Sequence, residues 1–363
     1  MLVPASILKG PDGLTLPRPI HFDPQRRAAS GQLKAAIERL TAVLERHEAD
    51  LSPRQRARKA GPREGFALAV EALACNLAII AMLDLDAPLA VPRKASVMWS
   101  AARYRPPVYG KHFLTVLDLM ADPRVALIER VATGYRFAGR PGLRTTYRPT
   151  LAFLEHIPLA LLSWAAFGRA EEPEVLILKG LKDPKAGQAP LMDYPETATT
   201  HRLRQEVLKI NAFLSKARIV LLDGGPGDLD EEGQPLDPSR LTLRRSFNGG
   251  SWFSGGRLWG GFWETMPRED RFRLIRIGTR LHPEGERTAS VDLGQLYPRL
   301  LYLREGLTPP EEDLYDIDGD GSCRDGWKRL VNAMAHAPKR LTHLPKGAQR
   351  LFPEGARPRD LIN

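Results

Sequence analysis

The amino-acid sequence predicts an α+β fold, and three observations support this class. Apolar residues recur at helical spacing within the first 120 residues, short apolar runs bounded by glycine follow, and both patterns occur together further on. The chain has 363 residues, which is longer than most single domains and predicts two or three units. We divide it into an N-terminal arm with a helix, a module of helices and a hairpin, an α/β connecting region and a last α+β region: 1–62, 63–150, 151–240 and 241–363.

The N-terminal segment is predicted to be an irregular, proline-rich arm followed by an amphipathic helix over residues 31–58. The apolar residues of this helix recur at helical spacing: Leu33, Ile37, Leu40, Val43 and Leu44. The basic run at residues 54–59 either touches phosphate or is a solvated helix end. An alanine- and leucine-rich stretch over residues 63–83 then predicts a buried helix.

The module over residues 63–150 ends in a further helix and a hairpin. The helix at 109–120 has one apolar side, formed by Phe113, Val116, Leu117 and Met120. The hairpin consists of two strand-like stretches and a glycine-bounded loop between them: 125–131, 143–148 and 134–142.

Two helices followed by a hairpin with a basic tip is the element order of a winged helix. In that arrangement the helix at 109–120, with Lys111 near its start, enters the major groove of DNA. The hairpin contacts the DNA backbone through three arginines, Arg136, Arg140 and Arg148. Two alternatives stay open, namely that the module packs on the rest of the chain without binding DNA, or that it docks another protein.

The connecting region is predicted to mix helices and strands. Its helices are expected at 151–167 and 197–214, and its strands at 174–178 and 218–222. An acidic, glycine-rich stretch at 223–233 predicts a solvated loop.

Residues 243–263 combine glycines, aromatic residues and arginines more densely than any other segment. Glycine lets a backbone approach a ligand closely, aromatic rings offer stacking faces, and arginine binds phosphate. The segment matches neither a Walker loop nor a dinucleotide fingerprint. Glycine–aromatic segments also form tight structural hairpins, so this alternative stays open.

A short strand at 288–292 is predicted to end in Asp292, ahead of a leucine-rich helix that starts near Leu296. A carboxylate at a strand end can bind Mg²⁺, which prefers carboxylate, phosphate and water oxygens. The alternative is that Asp292 caps the N-terminus of the helix.

Arg324 and Lys328 lie four residues apart and therefore share one face of a helix that extends to about Met334. Two cations on one face suit a triphosphate, on which negative charge develops during phosphoryl transfer. A basic surface helix is the alternative.

The overall charge favours a polyanionic partner. The net charge is +10 and the pI is about 9.7, which suits phosphate-rich ligands such as nucleic acid. An arginine-rich surface of an enzyme from a GC-rich genome would give the same balance.

The two cysteines, Cys75 and Cys323, predict neither a disulfide framework nor a zinc site. We find no apolar run that approaches the ~18 residues of a membrane span, and no signal peptide at the N-terminus. We therefore expect a cytoplasmic protein without membrane contact.

Three short pieces of the chain, at residues 254–257, 291–299 and 324–328, resemble motifs of the palm and fingers of family A DNA polymerases. The resemblance is closer to a polymerase-like family of bacterial mobile elements, and it covers residues 244–332. It implies that 241–363 is a palm- and fingers-like α+β region, incomplete at its C-terminal end. It also implies a template-directed nucleotidyltransferase of a plasmid, phage or other mobile element, which acts in DNA replication on primer–template DNA with dNTPs.

The resemblance assigns roles to seven residues. Asp292 would be the first carboxylate of a two-Mg²⁺ site, and Tyr297 would screen the sugar 2′-hydroxyl. Arg324 and Lys328 would hold the triphosphate, and Arg257 the primer–template backbone. Two further nucleic-acid contacts coincide with the family pattern: Gln295 and Arg299.

The sequence departs from the family pattern at several positions. Leu293 replaces an aromatic residue, Gly294 a serine and Tyr297 a glutamate, and Asn332 stands where a stacking aromatic is expected. The hairpin with the second catalytic aspartate is missing from the residues after the helix at 324–334. The chain is then either a fragment whose palm is completed by further sequence or a partner chain, or a non-catalytic DNA-binding replication accessory factor or regulator.

Overall fold

The computed structural model describes residues 7–9, 15–52, 58–99, 102–135, 142–182, 189–222, 229–230, 232–278, 285–337, 340–354, 356 and 361. Helices make up 42% and strands 16% of the structure, which confirms the predicted α+β class. The chain divides into two compact units, Met1–Thr288 (unit 1) and Ala289–Asn363 (unit 2). The boundary between them lies inside the last of the four segments suggested by the sequence.

The helices of the described residues are α1 Gly31–Leu51, α2 Ala60–Met82, α3 Ala95–Met98, α4 Lys111–Met120, α5 Leu151–His156, α6 Ala198–Lys216, α7 Arg268–Leu274, α8 Leu296–Arg304 and α9 Arg324–His336. The strands are β1 Ile7–Lys9, β2 Thr15–Pro17, β3 Ile20–His21, β4 Arg26–Ala28, β5 Leu89–Val91, β6 Ile128–Ala132, β7 Thr145–Pro149, β8 Phe167–Arg169, β9 Leu176–Leu178, β10 Arg218–Leu221, β11 Arg244–Phe247, β12 Gly255–Trp259, β13 Ile275–Gly278 and β14 Glu286–Arg287. The helices predicted from periodicity in the first 120 residues, and the helix predicted at 197–214, are confirmed as α1, α2, α4 and α6. Most of the basic run after α1 lies outside the described residues.

The helix predicted over residues 151–167 is wrong beyond His156. Helix α5 ends there, because Pro158 excludes helical backbone at the residue before it, and Ile157 accordingly has φ −111° and ψ 127°. Two short 3₁₀ turns follow, and the chain then enters strand β8.

The largest hydrophobic core of unit 1 is formed by α1, α2 and α4 together with strands β3, β5 and β7. Helix α1 is capped at its N-terminus by Ser30, whose side-chain oxygen accepts a hydrogen bond from the backbone N–H of Leu33. Helix α2 is apolar on all sides and is the central helix of this core, with Phe66, Leu73 and Leu77 completely buried.

Helix α2 corrects the expectation that no apolar run reaches membrane-spanning length. By length and composition it is able to cross a membrane, with a mean hydropathy of 2.0 over its most apolar stretch. In the structure, however, 67% of that stretch is buried inside the protein. Its apolar surface is therefore used in the core of unit 1.

The sheet beside these helices has the strand order β3-β5-β7-β6. Strand β5 pairs in parallel with β3 and antiparallel with β7, and β6 and β7 form an antiparallel hairpin. A bridge between Tyr135 and Leu143 extends the hairpin toward its tip. Along the chain the elements follow the order α2, β5, α3, α4, β6 and β7.

Two smaller sheets complete unit 1. In one of them, β11 pairs in parallel with β9 and antiparallel with β12, and α6 packs on this sheet through Leu203 and Val207. The other has the order β10-β13-β14 and is covered by Phe262, Met266 and Leu274. The predicted strands at 174–178 and 218–222 are thus confirmed as the shorter strands β9 and β10.

A buried network of two arginines and two aspartates connects the first core to the loop before β11. Arg169 of β8 donates hydrogen bonds to Asp23 and, at 2.9 Å, to Asp237. Arg26 of β4 lies 2.7 Å from Asp237, whose side chain is only 1% exposed. Burial alone would raise the pKa of Asp23, but Arg169 and Arg26 outweigh this effect and lower it to about 2.

Unit 2 contains α8, α9 and a 3₁₀ turn at Gln349–Leu351. The ring of Phe352 packs edge-on against Trp327 of α9, with 5.2 Å between the ring centroids. Helices α8 and α9 confirm the two helices predicted after residue 295.

The strand predicted at residues 288–292 is wrong. Strand β14 ends at Arg287, and residues 288–293 have no regular structure. The reason lies in the pairing register, in which Arg287 is opposite Arg276 of the short strand β13. Continuing the pairing beyond Ile275 would require the residues of α7, whose backbone is helical and not extended.

Candidate nucleic-acid interface

Helix α4 is fixed on one side by the core of unit 1. Phe113, Val116, Leu117 and Met120 are completely buried, whereas Lys111 and Asp118 are exposed. The helix begins one residue beyond Gly110, whose φ of 152° is favourable for glycine. The prediction that this helix starts at residue 109 therefore placed its start two residues too early.

Arg93 holds the outer side of α4 against the sheet. Its two terminal nitrogens donate to the two carboxylate oxygens of Asp118 at 2.7 and 3.2 Å. One of these nitrogens also donates to the hydroxyl of Tyr147 in β7 at 3.1 Å. The bidentate contact with Asp118 and the hydrogen bond to Tyr147 fix the orientation of α4 relative to the β6–β7 hairpin.

The predicted contact residues of the hairpin have different environments. Arg148 donates to Asp86 at 2.8 Å, and its side chain is 35% exposed. Its guanidinium is therefore already engaged, which a sequence pattern does not reveal because Asp86 is 62 residues away. Arg136 and Arg140 lie outside the described residues.

Four exposed cations surround α4 and the hairpin, and sequence reasoning identified only one of them. They are Lys94, Lys111, Arg130 and Arg144. Among the residues that the structure describes, none of the four forms an ion pair. Arg130 was missed because exposure does not alternate along the edge strand β6: Ile128 is buried, whereas Glu129 and Arg130 are both exposed.

The glycine- and arginine-rich segment forms the β11–β12 hairpin. Arg244 stacks over the ring of Trp259 at 4.1 Å, and Arg245 binds Glu206 at 2.9 Å and the backbone oxygen of Gly256 at 3.1 Å. Arg257 is exposed. The family resemblance implied a loop at Arg257, but the structure places this residue within strand β12, opposite Ser246.

In unit 2, Asp292 neither ends a strand nor caps the helix that follows it, although the sequence favoured one of these two positions. Asp292 is exposed and lies in the irregular stretch before α8. The residue that caps α8 is Gln295, which adopts a left-handed conformation with φ 57°. Its side-chain oxygen accepts the backbone N–H of Leu314 at 2.8 Å, so Gln295 stabilises the fold of unit 2.

The remaining residues expected to bind nucleotide lie on α8 and α9. Tyr297 and Arg299 belong to the first two turns of α8, and Arg324 and Lys328 to the first turns of α9. Arg324 donates through Nε to Asp313, and its pKa is raised chiefly by this hydrogen bond. Lys328 is exposed.

The aromatic residues near α9 are already in contact with other side chains. Tyr315 is 3% exposed and donates through its hydroxyl to Asn332 at 3.2 Å. The indole N–H of Trp327 donates to Asp318 at 2.6 Å. Neither ring is presented as a free stacking face for a base.

No group of three or more His, Cys, Asp and Glu side chains is arranged to bind a metal among the residues that the structure describes. Asp292 is thus the one carboxylate that the family resemblance assigns to Mg²⁺. The resemblance does not identify the second carboxylate that a two-ion site needs.

Comparison of the chain with protein-family models, with curated proteins and with solved structures finds no match.

Proposed function

We propose that this chain is a non-catalytic DNA-binding protein, a replication accessory factor or regulator, whose residues 60–149 form a winged-helix-like module. The observation that carries the proposal is the element order α2, β5, α3, α4, β6, β7, combined with the antiparallel strand order β5-β7-β6. In a winged helix the first strand pairs with the last, and the last two strands form the wing. Here β5, β7 and β6 stand in those positions.

The charges support duplex DNA as the partner. Helix α4 corresponds to the recognition helix, and Lys111 is its first residue, where base edges and phosphates are contacted in such modules. The positive end of the helix dipole adds to the attraction for phosphate. Arg130 and Arg144 of the β6–β7 hairpin are exposed for contacts to the DNA backbone.

A cytoplasmic location is consistent with this function. Both cysteines are buried and unpaired, so the fold does not depend on an oxidising compartment.

The proposal is tested by fluorescence anisotropy with a labelled duplex over a series of salt concentrations. Each phosphate contact that is lost changes the slope of log K against log salt by about 0.9. The combined variant Lys111→Ala, Arg130→Ala, Arg144→Ala is expected to bind at least about tenfold more weakly and to have a slope reduced by about 2 to 3. The matched control is Arg39→Ala, which removes an exposed cation from α1. Equal affinity and slope in the triple variant and the control would refute the proposal.

A second candidate is the nucleotidyltransferase activity implied by the family resemblance. The feature that favours it is the one-turn spacing of Arg324 and Lys328 on α9, which suits a triphosphate. It is tested by primer extension with Mg²⁺ and labelled dNTPs, comparing the wild type with Asp292→Ala. Extension that depends on Asp292 would support this candidate, whereas extension that persists in Asp292→Ala would refute the assignment of Asp292.

A further inference from the structure

The loop of the β11–β12 hairpin presents one aromatic side chain to solvent and anchors another. The loop spans residues 248–254 and is closed by a hydrogen bond of 2.9 Å from the backbone N–H of Asn248 to the carbonyl of Ser254. Trp252 packs edge-on against Phe247 and Tyr194, with centroid distances of 5.0 and 4.7 Å. The adjacent Phe253 is 98% exposed, more than any other large apolar residue that the structure describes.

The loop is fixed, so Phe253 projects from a rigid support. The glycines at 249, 250, 255 and 256 have positive φ values of 64°, 69°, 92° and 89° and make the tight reversal possible. The backbone N–H of Gly250 also donates to the carbonyl of Lys179 at 2.8 Å. A rigid support reduces the entropy that is lost when an exposed side chain is used for binding.

Other exposed apolar side chains lie beside this loop. Leu181 is 81% exposed and Met192 is 39% exposed. A Cβ atom added to Gly249 would lie 3.8 Å from Leu181, and one added to Gly250 would lie 3.5 Å from the sulfur of Met192. Phe253 therefore forms part of an apolar tip, and an apolar patch of this kind marks a binding surface.

Exposed cations flank this tip, and the carboxylate of Asp193, which follows Met192 and is 69% exposed, is paired with Arg103 at 2.7 Å. Lys182 and Arg257 are exposed, and Lys179 is hydrogen-bonded to the loop through its backbone. No aspartate or glutamate occurs in the sequence from Thr242 to Trp263. DNA offers both a negatively charged backbone for these cations and apolar base faces for the tip. An uncharged or basic protein surface would not attract the cations, so the charges favour DNA as the partner.

We infer that Phe253 is an apolar wedge that inserts between neighbouring base pairs of duplex DNA. Phenylalanine and similar side chains act in this way in proteins that kink DNA. The inference rests on the proposed DNA-binding function and adds a second contact, separate from the α4 and β6–β7 surface. Phosphate contacts by Lys182 and Arg257 hold the duplex at the tip.

The test uses a short duplex of mixed sequence that contains 2-aminopurine, whose fluorescence rises when its stacking is disrupted. The variant Phe253→Ser is expected to lose the fluorescence rise and to bind about tenfold more weakly, because a base–aromatic contact is removed. Its salt slope should stay unchanged, because no phosphate contact is lost. Phe253→Leu, which keeps an apolar wedge, should retain most of the affinity.

A matched control is Phe213→Ser, which removes an exposed phenylalanine from α6, where the side chain is 71% exposed. If the wild type does not bind the duplex at any salt concentration, the proposed DNA-binding function fails. If the wild type binds and Phe253→Ser behaves like the control, the wedge alone is refuted. Tighter binding of the wild type to single-stranded DNA, lost in Phe253→Ser, would also refute it in favour of stacking on unpaired bases.

Discussion

The buried network around Arg169 gives a prediction for stability that does not depend on the function. The variant Arg169→Met removes the cation that binds both Asp23 and Asp237, and it keeps most of the side-chain volume. Asp237 then retains Arg26 at 2.7 Å, whereas Asp23 retains a 3.6 Å contact to the same arginine and the hydrogen bond that it accepts from the backbone N–H of Gln25 at 3.0 Å.

The expected cost follows from this geometry. Removing one partner of a buried ion pair destabilises a protein by about 3–5 kcal/mol. Because Arg26 remains within reach of both carboxylates, we expect a loss near the lower end, ~3 kcal/mol. Urea unfolding at neutral pH, followed by tryptophan fluorescence, measures this loss.

The pH dependence provides an independent check. The pKa of Asp23 is about 2 in the folded protein, below its ordinary value of 3.8. Its stabilising contribution is therefore complete above pH 3.8 and is lost as the pH falls through 2. The difference in unfolding free energy between the wild type and Arg169→Met should shrink across this window.

Two results would refute this reasoning. One is a loss below ~0.5 kcal/mol in Arg169→Met, which is the range of ordinary surface substitutions. The other is a difference from the wild type that stays constant as the pH falls. Arg39→Met, at an exposed position on α1, is the control and should leave the unfolding free energy unchanged.

Two further predictions concern the β6–β7 hairpin. A Cβ atom at Gly134 would lie 2.6 Å from the backbone nitrogen of Thr145. Gly134→Ala should therefore destabilise unit 1 by about 1–3 kcal/mol in urea unfolding and weaken duplex binding. Unchanged stability would contradict this close approach of the two backbone segments. Arg148→Ala should lower DNA affinity less than Arg144→Ala in anisotropy titrations, because the guanidinium of Arg148 is bound to Asp86; the reverse order would show that this ion pair opens when DNA binds.

Much of the fold was predictable because the main helices are specified by local patterns of apolar residues. Helices α1, α2, α4 and α6 were found from apolar residues at helical spacing, which depends only on residues within a few turns of one another. Their ends were less well predicted, since ends depend on caps such as Gly110. The helix expected up to residue 167 was wrong because the effect of Pro158 on the residue before it was not taken into account.

The candidate site was less predictable, because exposure and pairing depend on residues far apart in the sequence. Arg148 and Arg144 look equivalent in the sequence, yet within the described part of the chain only Arg148 has a carboxylate partner, which comes from the connection between α2 and β5. The strand expected before Asp292 was wrong because a strand needs a partner, and β13, the partner of β14, is preceded by a helix.

The sequence by itself determined the α+β class, the positions of the main helices, the presence of the β6–β7 hairpin, and the positive charge that favours a polyanion. The tertiary structure decided which charged and aromatic side chains are available for binding. It buries Trp252 partly against Phe247 and exposes Phe253, although the two residues are neighbours with similar chemistry. The physical reason is that availability is set by packing and pairing with distant residues, whereas helical periodicity is set by near neighbours.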